Sequence, residues 1–364
     1  MKSKSAVSKK ASAKAAIAEV MGNITNPLGI LFFCDYGKLE EVAKGFREAY
    51  PNTPCIGTAG RCYCNKTIDD QGILVATIIT DGASVHAGAI KHLDSSPMSD
   101  LNALRDSIKA VSPGTDNTVC IEFCTNNEER LVSTLDILLS KHKIKLAGGT
   151  AFGQPEGATS KVAVNGRLLE NACAYILIKN ATGKAGVYKE NIYTRGDHEV
   201  HIATKVNRAT KELVQLDGRA AADVYSQDTG VSRAQIVDNV LQQPLGRVLG
   251  DEVFICSMYD IGSNGSLVNY KQFSENDAVT VLELHDYREI IEETKRELKS
   301  TYRSISTMIS FNCIYRYLLF EQEGFTGSYL GTMSEIGDFV GYIAGGEQYN
   351  HQHVNQTMVC AVFE

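Results

Sequence analysis

Residues 119–124, with the sequence VCIEFC, open the stretch that decides the fold. This apolar segment ends in a cysteine and precedes a helical segment, a glycine-rich strand end (146–151, LAGGTA) and a second apolar segment (174–178, AYILI). The same plan recurs earlier at 30–34, 56–60 and 73–79, and later at 308–313, 342–347 and 357–363. Unequal spacing argues against a solenoid, whose period is fixed. The pattern predicts an α/β (α+β) fold of layered mixed β-sheets covered by helices and built from duplicated strand-helix-strand-strand units.

Apolar residues at helical spacing predict the helices that cover these sheets. Four such stripes lie at 13–20, 39–46, 101–111 and 131–138, and Ser99 is the predicted N-cap of the third. In the third unit, glycines at 324, 327 and 331 each destabilise a helix interior by about 1 kcal/mol, so the helix there should be short or broken. The remaining predicted helices are 210–214, 218–226 and 286–299, and the remaining strands are 254–258, 267–270 and 279–284.

The composition of the 364-residue chain argues against several classes of partner. A formal net charge of -7 opposes binding to nucleic acids, because that affinity depends on clustered lysine and arginine side chains. No apolar run approaches the roughly 20 residues that a membrane-spanning helix needs. The ten cysteines lie mostly alone in apolar segments, which is typical of reduced thiols, so the expected compartment is the cytoplasm.

Motifs spread over nearly the whole chain resemble those of FIST-domain proteins. They lie at 57–60, 147–153 and 165–166 for the N-terminal half, at 203–205, 217–225 and 244–246 for the junction, and at 311–316, 346–348 and 355–357 for the C-terminal half. The resemblance implies a FIST N-terminal-like domain at residues 1–213 and a FIST C-terminal-like domain at 214–364. Gln154 and Gln243 depart from the family pattern, which has an acidic residue and a histidine at these points.

What the resemblance implies about function is a sensory protein that binds a small ligand, amino acids being the usual proposal. Such domains often accompany histidine kinase, cyclase or chemoreceptor domains, and some members resemble haem-binding nitric-oxide sensors. No output domain is recognisable in this sequence, so a signal is expected to pass to a separate partner protein.

The glycine-rich turns of the three units are the predicted ligand site. Their bare backbone N–H groups suit a carboxylate, Arg316 could add a bidentate contact, and Glu347 could bind an ammonium group, as an amino acid requires. The same glycines equally suit close packing of sheets, and Arg316 and Glu347 equally suit a buried ion pair with each other. The predicted ligand-binding residues are Gly57, Thr58, Gly60, Arg61, Gly148, Gly149, Cys313, Arg316, Gly346, Glu347, Gln348 and Asn355.

Three cysteines recur near the end of the first strand of each unit, at 34, 124 and 313. Buried packing groups are the favoured interpretation, because buried thiols usually serve that role. The alternative is a cysteine-dependent hydrolase or transferase, with Cys313 as nucleophile and a histidine at 285, 351 or 353 as base.

Two cofactor hypotheses remain open from the sequence. The pairs Cys62/Cys64 and His351/His353 follow two of the glycine turns and would supply four zinc ligands if those turns meet. A non-covalent haem would need an axial histidine, and His198 or His201, in a polar connection between the halves, is the candidate.

Overall fold

The computed structural model describes residues 1–69 and 73–364. The first repeated unit begins earlier than expected, because a strand and a helix precede its first apolar strand. Its elements are β1 (Lys2–Ser8), α1 (Ala13–Met21), β2 (Gly29–Cys34), α2 (Leu39–Ala49), β3 (Cys55–Ala59), β4 (Cys62–Cys64), β5 (Thr67–Asp69) and β6 (Leu74–Asp81).

The second unit repeats this order of elements. They are β7 (Ala83–Lys91), α3 (Leu101–Val111), β8 (Thr118–Cys124), α4 (Glu128–Leu139), β9 (Lys145–Thr150), β10 (Val162–Val164), β11 (Arg167–Leu169) and β12 (Ala172–Asn180). Short 3-10 turns lie at Tyr36–Lys38, Pro97–Asp100 and Ser140–His142, and a further one lies in the third unit's insertion at Arg233–Gln235.

The third unit starts with β13 (Ala185–Asn191) and is then interrupted by an inserted sheet with two helices. The insertion contains β14 (Tyr193–Arg195), β15 (His201–Asn207), β16 (Glu212–Leu216), β17 (Arg219–Ala220), α5 (Ala221–Thr229), α6 (Ile236–Asn239), β18 (Leu245–Leu249), β19 (Glu252–Cys256), β20 (Met258–Ile261), β21 (Leu267–Asn269) and β22 (Ala278–Leu284). The division expected between residues 213 and 214 therefore falls inside β16.

The rest of the third unit follows the plan of the other two. Its elements are α7 (Tyr287–Thr301), β23 (Thr307–Cys313), α8 (Ile314–Gln322), α9 (Thr326–Ser334), β24 (Asp338–Ala344), β25 (Glu347–Tyr349), β26 (Gln352–Val354) and β27 (Thr357–Phe363). The predicted interruption of the covering helix is confirmed, since α8 and α9 replace one longer helix.

In the part of the chain that the structure describes, each unit builds one six-stranded sheet, and the three sheets have the same strand order. The parallel pairs β2/β3, β8/β9 and β23/β24 lie at the centre of their sheets, and the other pairs are antiparallel. The orders are β1-β6-β2-β3-β10-β11, β7-β12-β8-β9-β25-β26 and β13-β27-β23-β24-β4-β5. The α/β fold with repeated units is thus confirmed, in triplicate.

Each unit gives its short hairpin to the sheet of another unit. The hairpin β4–β5 pairs with β24, β10–β11 pairs with β3, and β25–β26 pairs with β9. An asparagine with positive φ lies at each hairpin tip: Asn65 at 51°, Asn165 at 49° and Asn350 at 53°. Asparagine tolerates this conformation better than most residues. The exchange closes a ring of three units around one core.

That core lies between the three sheets. Phe33, Phe123, Phe311 and Tyr342 meet at its centre, where their ring centroids are 5.2 to 6.1 Å apart in the contacting pairs. The helices cover the outer faces, with α1 and α2, α3 and α4, and α7 to α9 each packing on one sheet. The inserted sheet has a separate core with α5 and α6.

Three local predictions are wrong. Residues 210–214 are not helical, because Lys211 adopts a positive φ that turns the chain from β15 into the antiparallel strand β16. The predicted helix at 218–226 begins only at Ala221, after a turn at Asp217 and Gly218 with positive φ. Ser99 does not cap α3, since it lies in the preceding 3-10 turn and its hydroxyl donates to the carbonyl of Ser96.

The apolar segments are short strands and amphipathic helices that face these cores. Among residues 1–69 and 73–364, no helix combines the length and the apolar character needed to cross a membrane.

Candidate functional site

The loops that follow β3, β9 and β24 meet at one end of the core, where the parallel strand pairs have their carboxyl ends. Gly60 lies against the carbonyl oxygen of Phe152, and Gly345 lies against the Phe152 ring. In open α/β sheets, ligands bind beyond the carboxyl ends of strands. The repeated plan therefore brings its three glycine-containing turns together.

Three of the predicted ligand-binding glycines, Gly57, Gly148 and Gly149, lie inside strands rather than in these turns. In each unit the facing residue of the parallel partner strand covers such a glycine: Phe32 covers Gly57, Glu122 covers Gly148 and Ser310 covers Gly341. A β-carbon at any of the three positions would overlap its neighbour, so close packing accounts for these glycines. In the third unit, Gly346 lies in the loop beyond the strand, outside this arrangement.

Three other predicted residues also have packing contacts. Thr58 is fully buried, and its hydroxyl lies 3.5 Å from the carbonyl oxygen of Lys161. Gly149 lies under the hydroxyl of Tyr342. The guanidinium of Arg61 stacks over the ring of Tyr317 at 4.7 Å from its centroid.

Arg316 is fully buried on α8 and forms an ion pair with Glu190 of β13. The rings of Phe320 and Tyr329 flank its guanidinium at 4.7 and 5.2 Å from their centroids. The hypothesis that Arg316 and Glu347 pair with each other is therefore wrong. The cause is the position of β13, which runs beside β27 and brings Glu190 under the helix.

Glu347 lies on the opposite face of its strand from the residues that meet the inserted sheet. Its Oε2 accepts hydrogen bonds from the hydroxyl of Thr357 at 2.7 Å and from the backbone N–H of the same residue at 3.3 Å. Burial raises the pKa of Glu347, although these bonds and one from Cys313 oppose the change. The partners of the Glu347 carboxyl group thus belong to unit three itself.

Cys313 lies one residue later in its strand than Cys34 and Cys124 lie in theirs. Cys34 and Cys124 face the covering helices, whereas the residue of unit three at that point is Asn312. Burial, together with the nearby carboxylate of Glu347, raises the pKa of the Cys313 thiol. An activated nucleophile needs the opposite shift, so the thiol has no sign of activation.

The outer face of hairpin β25–β26 is polar although it is buried. Gln348 donates through Nε2 to the hydroxyl of Thr150 at 3.1 Å and lies 3.2 Å from Nδ1 of His353. Gly346 lies against the His353 ring and the Asn355 amide, where a side chain would collide with both. Because residue 346 is a glycine, the His353 ring and the Asn355 amide can lie close to the backbone at this point.

The inserted sheet packs over this face together with the first turn of α4. Lys211 Nζ lies 3.5 Å from Glu128 Oε2, and the backbone N–H of Gln272 donates to Glu129 Oε1 at 2.9 Å. Burial lowers the pKa of His353. The charges that act on His353 come from both sides of this interface. We call the group the junction cluster: Glu128, Glu129, Lys211, Lys271, Gln348, His353 and Asn355.

Several polar atoms of the junction cluster are buried without a hydrogen-bond partner in the described chain. They are Oε1 of Gln348, both amide atoms of Asn355 and Nζ of Lys271. A buried polar atom left unpaired costs about 1–3 kcal/mol, so most such atoms in proteins are satisfied. The unpaired atoms of the cluster are thus two acceptors, an amide donor and an ammonium group.

Sequence reasoning predicts only two of the seven residues of this cluster as ligand-binding, namely Gln348 and Asn355, together with the neighbouring Gly346. The charged residues of α4 and of the inserted sheet are not among the predicted ones. Lys271 follows an asparagine and a tyrosine in a segment with no motif, and nothing in its local pattern indicates burial. The first-turn pair Glu128 and Glu129 is indistinguishable in sequence from an ordinary acidic helix start.

The zinc hypothesis is not supported, because Cys62 and Cys64 lie on a hairpin of one sheet and His353 on a hairpin of another. Across residues 1–69 and 73–364, no group of three or more histidine, cysteine, aspartate or glutamate side chains could hold a metal ion.

The candidate haem ligands also have other partners. His201 lies 2.6 Å from Asp217 through Nδ1 and 2.9 Å from Asp228 through Nε2, so carboxylates occupy both ring nitrogens. Nε2 of His198 lies 3.3 Å from Glu283. His201 therefore does not fit the role of an axial haem ligand in this arrangement.

Two family models match the chain. The FIST N domain matches residues 27–219, and the FIST C domain matches residues 221–350. The boundary between the matches falls at β17, inside the inserted sheet. No curated protein matches the chain.

Proposed function

Because the chain belongs to the FIST family of sensory domains, we propose that it is a sensor that binds a small amino-acid-like ligand in the junction cluster. The bound state is relayed to a separate partner, such as a histidine kinase, a cyclase or a chemoreceptor. The function would reside in the cytoplasm, where the partner and free amino acids occur together.

One observation carries the proposal, namely the unpaired amide of Asn355. This side chain is 1% exposed, and neither its oxygen nor its nitrogen has a partner in the described part of the chain. Asn312 is a useful contrast, because it is also buried but accepts from Tyr329 at 3.0 Å and donates to Tyr63 at 2.6 Å. A polar group buried without a partner is readily explained by a ligand that supplies one.

An amino acid matches the cluster in charge and in hydrogen bonding. Its ammonium group has three donors, which suit the free oxygens of Gln348 and Asn355 beside the carboxylates of α4. Its carboxylate suits the amide nitrogen of Asn355 and the lysines of the inserted sheet. The unpaired atoms therefore support this ligand class, but they do not indicate which amino-acid side chain would be selected.

The position of the cluster gives a mechanism for signalling. Its residues come from unit two, from the end of unit three and from the inserted sheet, so a ligand would add a bridge to the contacts that already join these parts, such as Lys211 to Glu128. A ligand that binds one arrangement of these parts more tightly shifts the population toward it. The altered surface of the inserted sheet is then available to the partner.

A thermal-melt screen of the purified protein against the twenty amino acids and small carboxylic acids tests the proposal. A ligand present at 100 times its Kd should add about 2.7 kcal/mol of stability. Asn355→Leu should abolish the response while leaving the ligand-free protein as stable as before or more so, since it removes an unpaired amide.

The matched control is Asn312→Leu. It should lower the stability of the ligand-free protein, because two tyrosine hydroxyls each lose one hydrogen bond, but it should leave the ligand-induced rise intact. A flat screen would overturn the proposal, and so would a ligand response that survives Asn355→Leu.

A further inference from the structure

Three cationic side chains surround one aromatic ring at the edge of the junction cluster. Lys189 Nζ lies 4.9 Å from the ring centroid of Phe254, Lys271 Nζ lies at 5.3 Å, and the guanidinium carbon of Arg247 lies at 5.8 Å. Arg247 and Phe254 face each other across strands β18 and β19. Cation–π contact stabilises each cation modestly, by about 0.5–2 kcal/mol.

Two of the three cations have their own polar partners. Lys189 lies 3.4 Å from the carboxylate of Glu252. Arg247 donates to the amide oxygen of Gln352 at 3.2 Å and lies 3.9 Å from Asp277. These contacts hold both side chains in place without a ligand.

Lys271 differs from them in burial and in pairing. It is 2% exposed, its Nζ has no hydrogen-bond partner in the described chain, and it takes part in none of the ion pairs found there within 4.0 Å. Burial lowers the pKa of Lys271, and the nearby charge of Arg247 acts in the same direction. A buried ammonium group without a partner is costly, and it is therefore a strong indication of an anionic ligand.

We propose that Lys271 is the anchor for the carboxylate of a small ligand, which it binds as an ion pair beside the Phe254 ring. The inference rests on the proposed function, whose ligand it makes more specific: the carboxylate contacts the inserted sheet rather than Arg316. Glu129 and Asp277 act on the same ammonium group, so a singly charged carboxylate is favoured over a doubly charged phosphate.

The substitution Lys271→Met tests this assignment, because methionine keeps most of the side-chain volume and removes the charge. Two opposite effects are expected in thermal melts. The ligand-free variant should melt at a higher temperature than the wild type, since an unpaired buried charge is gone. Its affinity for any amino acid that stabilises the wild type should fall at least about tenfold.

Lys189→Met is the matched control. Lys189 also lies over the Phe254 ring, but unlike Lys271 it has a carboxylate partner. The substitution should leave the affinity within about twofold of the wild type. Acetate and inorganic phosphate serve as minimal probes, and acetate is expected to stabilise the wild type more than Lys271→Met.

The possible failures are distinguishable. If amino acids bind the wild type and Lys271→Met equally well, the anchor is wrong and the proposed function stands. If no amino acid binds but acetate or phosphate stabilises only proteins with Lys271, the amino-acid ligand is wrong and an anion site remains. A Lys271→Met protein that is less stable without ligand overturns the anchor, because the lysine then has a structural partner.

Discussion

Hairpins β10–β11 and β25–β26 occupy equivalent places in the triplicated core but differ in chemistry. The strand that joins the neighbouring sheet reads Val162, Ala163, Val164 in the former and Glu347, Gln348, Tyr349 in the latter. The middle cross-strand pair is Ala163 with Leu168 in one and Gln348 with His353 in the other. Hairpin β4–β5 has Tyr63 with Ile68 at that point.

The comparison of the two hairpins indicates which residues the fold requires. The exchange of hairpins and the strand order are the same whether the buried residues are apolar or polar, so the fold does not need glutamate or glutamine at 347 and 348. Polar groups in a buried hairpin reduce stability unless they are paired. The polar pair Gln348 and His353 lies in the hairpin that faces the inserted sheet, where the proposed ligand would bind.

Val162→Glu gives the largest expected effect, because it places the residue of one hairpin at the equivalent position of another. Val162 is fully buried among apolar residues of the core, so the carboxylate would have no partner there. The free energy of unfolding should fall by roughly 4 kcal/mol in urea denaturation. Val162→Ala, which only removes volume, should cost roughly 2 kcal/mol. Equal midpoints for the two variants would show that this hairpin accepts charge as readily as the third.

Arg316→Met should have the next largest effect, since it leaves Glu190 buried and unpaired. Loss of one partner of a buried ion pair typically costs about 3–5 kcal/mol. Adding Glu190→Leu should restore much of the stability, which a double-mutant cycle in urea would measure. If the single variant retains amino-acid binding at saturating concentration, Arg316 is structural. A loss of binding without a loss of stability would instead show that Arg316 contacts the ligand.

Gly341→Ala should destabilise the protein by roughly 2 kcal/mol, because its β-carbon would overlap the backbone carbonyl of Ser310. Gly345→Ala should be nearly neutral, since its β-carbon would meet Phe152 and Thr150 only at 3.4 Å or more. Chemical denaturation of the two variants measures the difference. Equal losses would mean that the loop glycine is as constrained as the strand glycine.

The smallest expected effect is a pH dependence from His201 in the inserted sheet. Burial lowers the pKa of its imidazole, but hydrogen bonds to Asp217 and Asp228 outweigh that effect and raise it. The stabilisation is therefore fully present below about pH 6.5, the unfolded value, and is lost as the pH rises through the raised folded value. His201→Gln should flatten this part of the stability profile in urea melts. A wild-type profile that rises with pH over the same window would contradict the assignment.

Much of the fold follows from local patterns in the sequence. The three apolar segments of each unit become the parallel pair and its antiparallel neighbour, because strand spacing and helix periodicity act within some 50 residues. The hairpin exchange could not be predicted in this way. It joins three-residue strands to partners as distant as Cys64 and Val340, and three residues carry too little periodicity to specify a partner.

The site was predictable only where residues follow a glycine turn or lie in a motif that resembles the family's. Gln348 and Asn355 do so, because they belong to the motifs at 346–348 and 355–357. Glu190 and Lys271 do not, since each lies in a stretch that also suits an exposed strand or loop. Both are buried by long-range packing. Glu190 is buried by β27, and Lys271 is buried where the inserted sheet meets units two and three.

The most direct test of the comparison is a graft that gives the third hairpin the middle pair of the second, Gln348→Ala with His353→Leu. Thermal melts with and without the amino acid that stabilises the wild type would be recorded for both proteins. We predict that the grafted protein folds with a stability within about 1 kcal/mol of the wild type and no longer responds to the ligand. A graft that folds and still responds fully would contradict the account, as would a graft that cannot fold at all.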